Sequence, residues 1–319
     1  MDLQTAIRNE HKKRMKWGYL WAIFTALLWG LWYIPGSVIW ALNPFDEMYG
    51  EIAAVNGDAT ALVVVAILVT AFNALAGALV LFVWNGSLGK MGELGRTIRE
   101  IHPCTKWFFA ASIFGGPIAI LGSYLAMGLV GGAFAAVSAL LYPVVGAVLA
   151  NRWYGEKISR RAALGIAIII CGGAVIYGGS IFGELGSSVP LLGLIGGIMI
   201  PLGWGIEGAI AGKGLDISEP DVALHMRFLS ETLIWWIIII PVLAIAGFPV
   251  LKYAMQIFDP FVLLVLSFTG ITFGFCYVSW YKSFPLIGVA RGQGVANLYA
   301  LMAVVSIYLF FGSIPSASL

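Results

Sequence analysis

The chain has 319 residues, of which 60% are hydrophobic and only 11% are charged. Because a soluble domain carries about 25% charged residues, this composition excludes a water-soluble protein and predicts a polytopic membrane protein. The formal net charge of +2 is too small to indicate a nucleic-acid partner.

A polar, basic segment at residues 1–16 precedes a series of apolar runs, each long enough to cross a bilayer. We predict nine spans near 17–42, 60–84, 107–128, 132–151, 161–181, 189–212, 224–247, 260–281 and 288–311. Glycine and proline inside these runs do not change the number, because neighbouring groups in a membrane bundle satisfy the backbone that they free. The predicted fold class is all-α, a polytopic bundle of transmembrane helices.

The positions of Lys and Arg predict the orientation of the chain. With the N-terminus inside, 17 of the 18 basic residues fall in inside segments, and one, Lys252, falls outside. The inside segments are 1–16, 85–106, 152–161, 213–227 and 282–291. By the positive-inside rule, the N-terminus lies in the cytoplasm. We expect a multi-pass protein of the cell inner membrane, with the lipid bilayer as its first partner.

Two loops carry local signals of their own. The outside loop 43–59 holds four acidic residues and no basic one. The inside loop 85–106 contains the stretch GELGRTIREI, and we expect a short amphipathic surface helix there.

An internal repeat relates two helical hairpins. Residues 122–155 resemble residues 279–312 at a constant offset of 157, which aligns Tyr124 with Tyr281 and Tyr142 with Tyr299. The copies begin five spans apart, an odd number, so they cross the membrane in opposite directions. Inverted repeats are typical of secondary transporters, which rock one half against the other around a midplane site.

Short motifs in the first copy and just after it resemble a known family. They are Leu140-Leu141-Tyr142-Pro143, Gly155-Glu156-Lys157-Ile158-Ser159, Leu164-Gly165 and Cys171-Gly172-Gly173. The second half carries looser counterparts at Ala290-Arg291-Gly292, Phe311-Gly312 and Ile314-Pro315. This pattern resembles the EamA-type repeat of the drug/metabolite transporter superfamily.

The resemblance implies ten helices in two inverted five-helix repeats, with both termini cytoplasmic. We therefore divide the chain into a cytoplasmic segment at 1–16, a first repeat at 17–181 and a second repeat at 182–319 that lacks its last helix. At the offset of 157, the counterpart of the fifth span would fall near 318–338, almost entirely beyond Leu319. We expect a tenth helix beyond this sequence; a nine-span protein with an outside C-terminus is the alternative. Whether the chain forms a homodimer is left open.

Two carboxylates fall inside predicted spans, where ionisable groups usually mark a pathway. Glu207 lies in the sixth span and Glu231 in the seventh. Either could bind a cationic group or couple transport to protons. The structural alternatives are an ion pair of Glu231 with Arg227 at the membrane edge and an interfacial position of Glu207 near Lys213.

Aromatic and amide side chains complete the predicted substrate site. Its members are Trp29, Trp32, Tyr33, Asn73, Tyr124, Tyr142, Trp204, Glu207, Glu231, Tyr277, Tyr281, Gln293, Asn297 and Tyr299. Aromatic faces near a carboxylate suit an organic cation or an aromatic solute. The alternative roles are lipid contact, packing and polar links between helices. We expect Trp17 and Trp280, near span ends, to belong to the interfacial aromatic belt.

These features predict a secondary transporter of a small organic metabolite, with cationic, zwitterionic or aromatic solutes favoured because no buried Arg or Lys is convincing. The sequence has no metal-ligand spacing and no catalytic or phosphate-binding motif, so we expect no metal, no cofactor and no enzymatic activity. A membrane-embedded lipid-modifying enzyme, a scaffold or receptor, and a channel are the alternatives.

Overall fold

The computed structural model describes residues 3–100, 102–156 and 191–312, together with residues 160, 163–165, 167–168 and 171. The described part of the chain is helical and contains no β-strand. Eight of its helical segments are long and apolar enough to cross a membrane. They are Gln4–Ala41, Asp58–Ser87, Cys104–Leu129, Phe134–Tyr154, Leu191–Leu215, Pro220–Ile245, Pro260–Ile287 and Val289–Phe311. This confirms the predicted all-α polytopic bundle.

Each of these eight segments overlaps one predicted span. The remaining predicted span, 161–181, falls largely outside the described residues, as do 157–159 of the family-like motif and the tail 313–319. The number of spans and the division into two five-helix repeats therefore stay predictions.

We number the helices of the described chain α1 to α15. The first eight are α1 (Leu3–Val38), α2 (Phe45–Asn56), α3 (Asp58–Ser87), α4 (Met91–Glu100), α5 (His102–Ile113), α6 (Leu121–Leu129), α7 (Gly132–Ala139) and α8 (Tyr142–Tyr154). The others are α9 (Leu191–Leu215), α10 (Pro220–Leu233), α11 (Ile240–Ile245), α12 (Val250–Ala254), α13 (Pro260–Ile287), α14 (Val289–Ala296) and α15 (Tyr299–Phe311). Wider π-helical turns at Phe114–Ile120 and Ile234–Ile239 join α5 to α6 and α10 to α11.

The N-terminal segment is part of the first helix. We predicted a polar segment at 1–16, but α1 begins at Leu3 and continues without a break into the membrane. Residues 3–16 contain no Gly or Pro and are rich in good helix formers such as Ala, Arg and Lys, so the helix propagates through them. On this segment Arg14 Nη2 donates to the carbonyl of Pro285, 3.3 Å away.

Two short helices lie between the first three spans. The predicted loop at 43–59 contains α2, whose apolar residues Phe45, Met48 and Ile52 are buried against α3. Their spacing places them on one helix face, a signal that the sequence interpretation overlooked. The surface helix expected in the loop 85–106 is confirmed as α4, which buries Leu94 and Thr97.

The two hairpins related by the offset of 157 have the same helix bounds. Helices α7 and α8 cover residues 132–139 and 142–154, and adding 157 gives the bounds of α14 and α15. In both copies the helix is interrupted after eight residues. Gly131 and Gly288 precede the copies with φ of 122° and 86°, and Gly155 and Gly312 end them in the left-handed region. This correspondence supports the predicted duplication.

Hydrogen bonds between the hairpins obey the same offset. Tyr142 donates its hydroxyl to the carbonyl of Gln293 at 3.0 Å, and Tyr299 donates to the carbonyl of Ala136 at 2.8 Å. Donors and acceptors are each 157 residues apart, so the two contacts are related by an approximate two-fold axis. Glu156, from the family-like motif, accepts hydrogen bonds from the backbone N–H groups of Val289 and Ala290 and so caps the second copy.

The helices that carry the predicted site residues pack closely. Helix α1 packs along α13 and α15, and α9 packs along α6 and α8. At the α6–α9 crossing, a Cβ on Gly122 would lie 2.8 Å from the carbonyl oxygen of Gly196, and a Cβ on Gly196 would lie 2.7 Å from that of Gly122. Only glycine permits this approach, which brings the two backbones into direct contact.

Candidate functional site

A triad of charged side chains lies inside the bundle. Arg227 of α10 pairs with Glu207 of α9 through Nε and Oε1, 2.7 Å apart, and with Glu231 of its own helix through Nη1 and Oε2. All three side chains are 0% exposed. Buried charges at this depth are costly unless each one is paired and hydrogen-bonded. The triad pairs both acids with the same base.

Aromatic side chains supply the remaining hydrogen bonds of the triad. Tyr277 donates its hydroxyl to Glu207 Oε2 at 2.8 Å and accepts a hydrogen bond from Trp204 Nε1 at 2.8 Å. Tyr281 donates to Glu207 Oε1 at 3.3 Å, and Trp235 donates Nε1–H to Glu231 Oε1 at 3.4 Å. Helices α9, α10 and α13 and the π-helical turn after α10 therefore meet at the two acids.

The guanidinium of Arg227 also lies against aromatic faces. Its Cζ is 4.5 Å from the ring centre of Phe228 and 4.7 Å from that of Tyr277. Cation–π contacts of this kind are stronger away from water than at a surface. These contacts fix the position of the Arg227 guanidinium between Glu207 and Glu231.

Two glycines of the third predicted span, Gly115 and Gly116, place backbone without side chains against the triad. A Cβ on Gly116 would lie 2.5 Å from Glu231 Cδ, and a Cβ on Gly115 would collide with Arg227 and Glu207. Both glycines belong to the π-helical turn Phe114–Ile120, which also contains Pro117. π-helical turns frequently occur at functional sites. Here the turn brings main chain, without side chains, against the charged groups.

A cluster of aromatic rings adjoins the triad, with Trp29 of α1 in its middle. The ring of Trp29 lies 4.5 Å from Trp204 and 4.9 Å from Tyr299, measured between centroids. Further rings within 6.1 Å of it are those of Tyr142, Tyr277 and Trp280. We call these six residues the aromatic cluster. It shares Trp204 and Tyr277 with the hydrogen-bond network of the triad.

The other predicted residues surround these two groups. Trp32 Nε1 donates to Asn73 Oδ1 at 3.0 Å, and Tyr124 donates its hydroxyl to the same oxygen at 3.3 Å. Tyr33 stacks on Tyr299 at 6.1 Å between ring centroids. Of the fourteen predicted site residues, thirteen are buried and Asn297 is half-buried. The structure thus brings the whole predicted set into one region.

Several buried polar atoms in this region have no hydrogen-bond partner among the described residues. They are the indole nitrogens of Trp29 and Trp280, Nδ2 of Asn73, Oε1 of Gln293 and Oδ1 of Asn297. Native proteins leave few buried polar groups unpaired, and such groups often mark a place where a ligand or water binds. In contrast, the amide nitrogen of Asn297 donates to the carbonyl of Leu140, so this side chain also links the two hairpins.

Two sequence interpretations are wrong in this region. The base Arg227 was assigned to an inside loop, and no buried Arg or Lys was expected; Arg227 is fully buried between two acids. The i,i+4 spacing of Arg227 and Glu231 was recognised, but the pair was expected at the membrane edge. Because α10 begins at Pro220 rather than at 224, Arg227 lies well within the helix and not at its start. Trp280 is buried in the aromatic cluster and not in an interfacial belt, whereas Trp17 is 50% exposed.

The alternative position of Glu207 is also corrected. Lys213, its suggested neighbour, lies 3.9 Å from Asp216 in an exposed pair, while Glu207 pairs with Arg227. Phe228, Trp235 and Gly115 were missed. The i,i+4 spacing of Glu231 and Trp235 is a signal that could have found Trp235, whereas nothing in the sequence marks Phe228 or Gly115 as neighbours of the triad.

The region combines charged, aromatic and unpaired polar groups. It offers carboxylates, one guanidinium, aromatic faces and unpaired donors and acceptors. Within the residues that the structure describes, no group of three or more His, Cys, Asp or Glu side chains could hold a metal ion.

Comparison with known proteins gives one positive result. No curated protein matches the chain. A family match covers 57–178, which includes α3 to α8 with the first hairpin. With the eight apolar helices, this match supports a multi-pass membrane protein of the transporter class. The predicted resemblance is confirmed over this segment: residues 57–178 of the chain match the EamA-like transporter family.

Proposed function

We propose that this chain is a secondary transporter that carries a small organic metabolite across the cell inner membrane by alternating access. The substrate site is the triad of Glu207, Arg227 and Glu231 together with the aromatic cluster. The observation that carries the proposal is the complete burial of this triad in a bundle that resembles a transporter family. Ionisable residues at this depth are kept where they line a pathway.

The triad contains one carboxylate more than it has bases. With both acids ionised its formal charge is −1, and an uncompensated charge in a dry interior is expensive. A proton or the positive group of a substrate removes the excess. Glu207 and Glu231 are therefore the proton-coupling residues of the proposal, and a cationic group on the substrate competes with the proton for the same carboxylates.

The surroundings favour cationic, zwitterionic or aromatic substrates. Tyr277 hydrogen-bonds to Glu207 and to Trp204, and the ring of Trp29 adjoins both aromatic residues. Aromatic rings near a carboxylate suit an ammonium group or an aromatic ring. Arg227 adds a partner for a carboxylate, which the sequence interpretation did not foresee. A zwitterion can exchange the internal ion pairs for two external ones without adding net charge to the membrane interior.

Alternating access requires two halves that move against each other. We propose the predicted repeats, 17–181 and 182–319, as these halves, with the N-terminus in the cytoplasm. The matching helix bounds of the two hairpins and their reciprocal hydrogen bonds support this division.

The experiment that tests the proposal measures thermal unfolding of the purified protein in detergent against a panel of solutes at two pH values. The panel contains quaternary amines, amino acids, aromatic metabolites, sugars, nucleotides and organic anions. A solute that binds only the folded state raises the unfolding temperature by mass action. We expect stabilisation by cationic, zwitterionic or aromatic solutes, followed by saturable exchange of the same solute in proteoliposomes.

Substitutions of the two buried acids, with a surface acid as the control, test whether the solute binds at the triad. Glu207→Gln and Glu231→Gln are each expected to abolish the stabilisation, whereas Glu93→Gln on the surface helix α4 keeps it, because Glu93 lies in an exposed pair with Arg96. Stabilisation by organic anions alone, or full stabilisation of both buried variants, would show that the assigned site is wrong.

A further inference from the structure

A second buried ionic group lies at the end of the bundle that carries the N-terminus. Asp221, near the start of α10, is 0% exposed and accepts from Lys90 Nζ at 2.5 Å and from Lys282 Nζ at 3.0 Å. Trp84 Nε1 also donates to its carboxylate at 3.0 Å, and Asn85 Nδ2 donates to its backbone carbonyl at 3.2 Å. We call Asp221, Lys90, Lys282 and Trp84 the Asp221 latch.

The latch is close to electrically neutral. Glu219 pairs with Lys90 at 2.8 Å and caps α10 by accepting from the N–H groups of Asp221 and Val222, so two acids face two bases. Burial alone would lower the pKa of Lys90, but its hydrogen bonds to Asp221 and Glu219 outweigh burial and raise that pKa. Lys90 therefore stays charged, and the latch persists at neutral pH.

The latch joins the same helices that build the proposed substrate site. Trp84 is on α3, Asp221 on α10 and Lys282 on α13. Lys282 also lies 5.2 Å from the ring centre of Trp21 on α1. Six residues separate Asp221 from Arg227, a distance of about 9 Å along the helix. The contacts of Asp221 therefore tie α3, α10 and α13 together at this end of the bundle.

The opposite end of the bundle has a much weaker connection. Glu51 of α2 contacts Lys252 and Tyr253 of α12, and the side chains of Lys252 and Glu51 are 53% and 44% exposed. Hydrogen bonds from Lys252 and Tyr253 lower the pKa of Glu51. Exposed pairs of this kind contribute little to stability, since water competes for both partners.

We infer that Asp221 is a positioning residue of the transport cycle, which holds the N-terminal end of the pathway closed while the opposite end opens. The inference rests on the proposed transport function and adds the element that decides on which side the site opens. Asp221 acts through Lys90 and Lys282 and does not touch the substrate. Loss of its charge releases Lys282, leaves Lys90 with Glu219 as its remaining ion-pair partner, and shifts the population towards the state that is open at this end.

The accessibility of the native Cys276 thiol measures this shift in population. The thiol is free, fully buried and adjacent to Tyr277 in α13. With Cys104 and Cys171 replaced by Ser, a membrane-impermeant cationic methanethiosulfonate is applied to vesicles of either orientation. In Asp221→Asn we expect labelling of Cys276 from the N-terminal side to rise at least fivefold relative to labelling from the opposite side. Asp221→Glu is expected to restore the ratio of the parent protein.

Controls separate the inference from a loss of folding and from the proposed function. Lys282→Gln keeps the buried acid and is expected to shift the ratio in the same direction by about twofold to threefold, since Lys90 remains. Lys252→Ala, at the opposite end, is expected to leave labelling from the N-terminal side unchanged. An unchanged ratio in folded Asp221→Asn and Lys282→Gln proteins would overturn the inference. Because labelling requires no substrate, a shifted ratio without solute transport would refute the proposed function and leave the latch intact.

Discussion

Helix α10 carries two buried ionic groups that differ in composition and depth. The triad around Arg227 has two acids and one base, and all three side chains are fully buried. The Asp221 latch, six residues earlier, has a buried acid between two lysines that are 25% and 20% exposed. The triad is short of positive charge, whereas the latch with Glu219 is balanced. The excess negative charge of the triad suits the exchange of a cation or proton. The equal numbers of acids and bases in the latch suit a contact that keeps one end of the bundle closed.

The difference also appears in what surrounds each group. The triad is enclosed by aromatic donors, by Phe228 and by the bare backbone at Gly116. In the latch, Asp221 is fully buried, but both of its lysines keep part of their side chains exposed. Removing a charged group should therefore cost more in the triad than in the latch, and the following variants test this order.

The largest effect is expected for Arg227→Met. It leaves two carboxylates facing each other in a dry interior, and breaking a buried pair in this way costs about 3–5 kcal/mol. Thermal unfolding in detergent measures the loss. Lys213→Met, which breaks an exposed pair with Asp216, is the matched control and should unfold like the parent. Adding Glu207→Gln and Glu231→Gln to Arg227→Met should recover most of the stability; if it does not, the penalty does not come from uncompensated charge.

An intermediate effect is expected for Gly116→Ala. The new methyl group would lie 2.5 Å from Glu231 Cδ, so either the π-helical turn or the carboxylate must move. Overpacking a tight interior costs about 1–3 kcal/mol. Gly86→Ala is the control, because a Cβ there meets nothing within 4 Å. Equal unfolding temperatures for both alanine variants would mean that the turn does not enclose the triad.

The smallest effect on stability is expected for Lys282→Met. Lys90 still neutralises Asp221, and the hydrogen bond from Trp84 remains, so the loss should be about 1–2 kcal/mol after allowance for the partial exposure of the lysine. Thermal unfolding compared directly with Arg227→Met gives the ranking. A larger loss for Lys282→Met than for Arg227→Met would reverse the proposed roles of the two groups.

The sequence selected the side chains of the proposed site better than it predicted their contacts. The mid-membrane positions of Glu207 and Glu231 and the spacing of the aromatic residues were sufficient to select side chains that the fold brings together. Arg227 was misplaced because hydropathy shows no sharp edge where α10 begins, and one turn of helix decides whether a basic residue lies in water or among acids. The Asp221 latch was not foreseen, since its members, including Asp221 itself, come from three separate parts of the chain.

By itself, the sequence determined the helical class, the apolar spans and the correspondence between the hairpins at 122–155 and 279–312. Those properties depend on residues that are near one another along the chain or on a constant offset. Only the tertiary structure decided that Arg227 is shared by two acids, that Trp280 faces inward and that Asp221 connects α3, α10 and α13. The ion pairs of Arg227 and Asp221 and the hydrogen bond from Trp84 join residues between 4 and 137 positions apart, and their partners follow from how the helices pack.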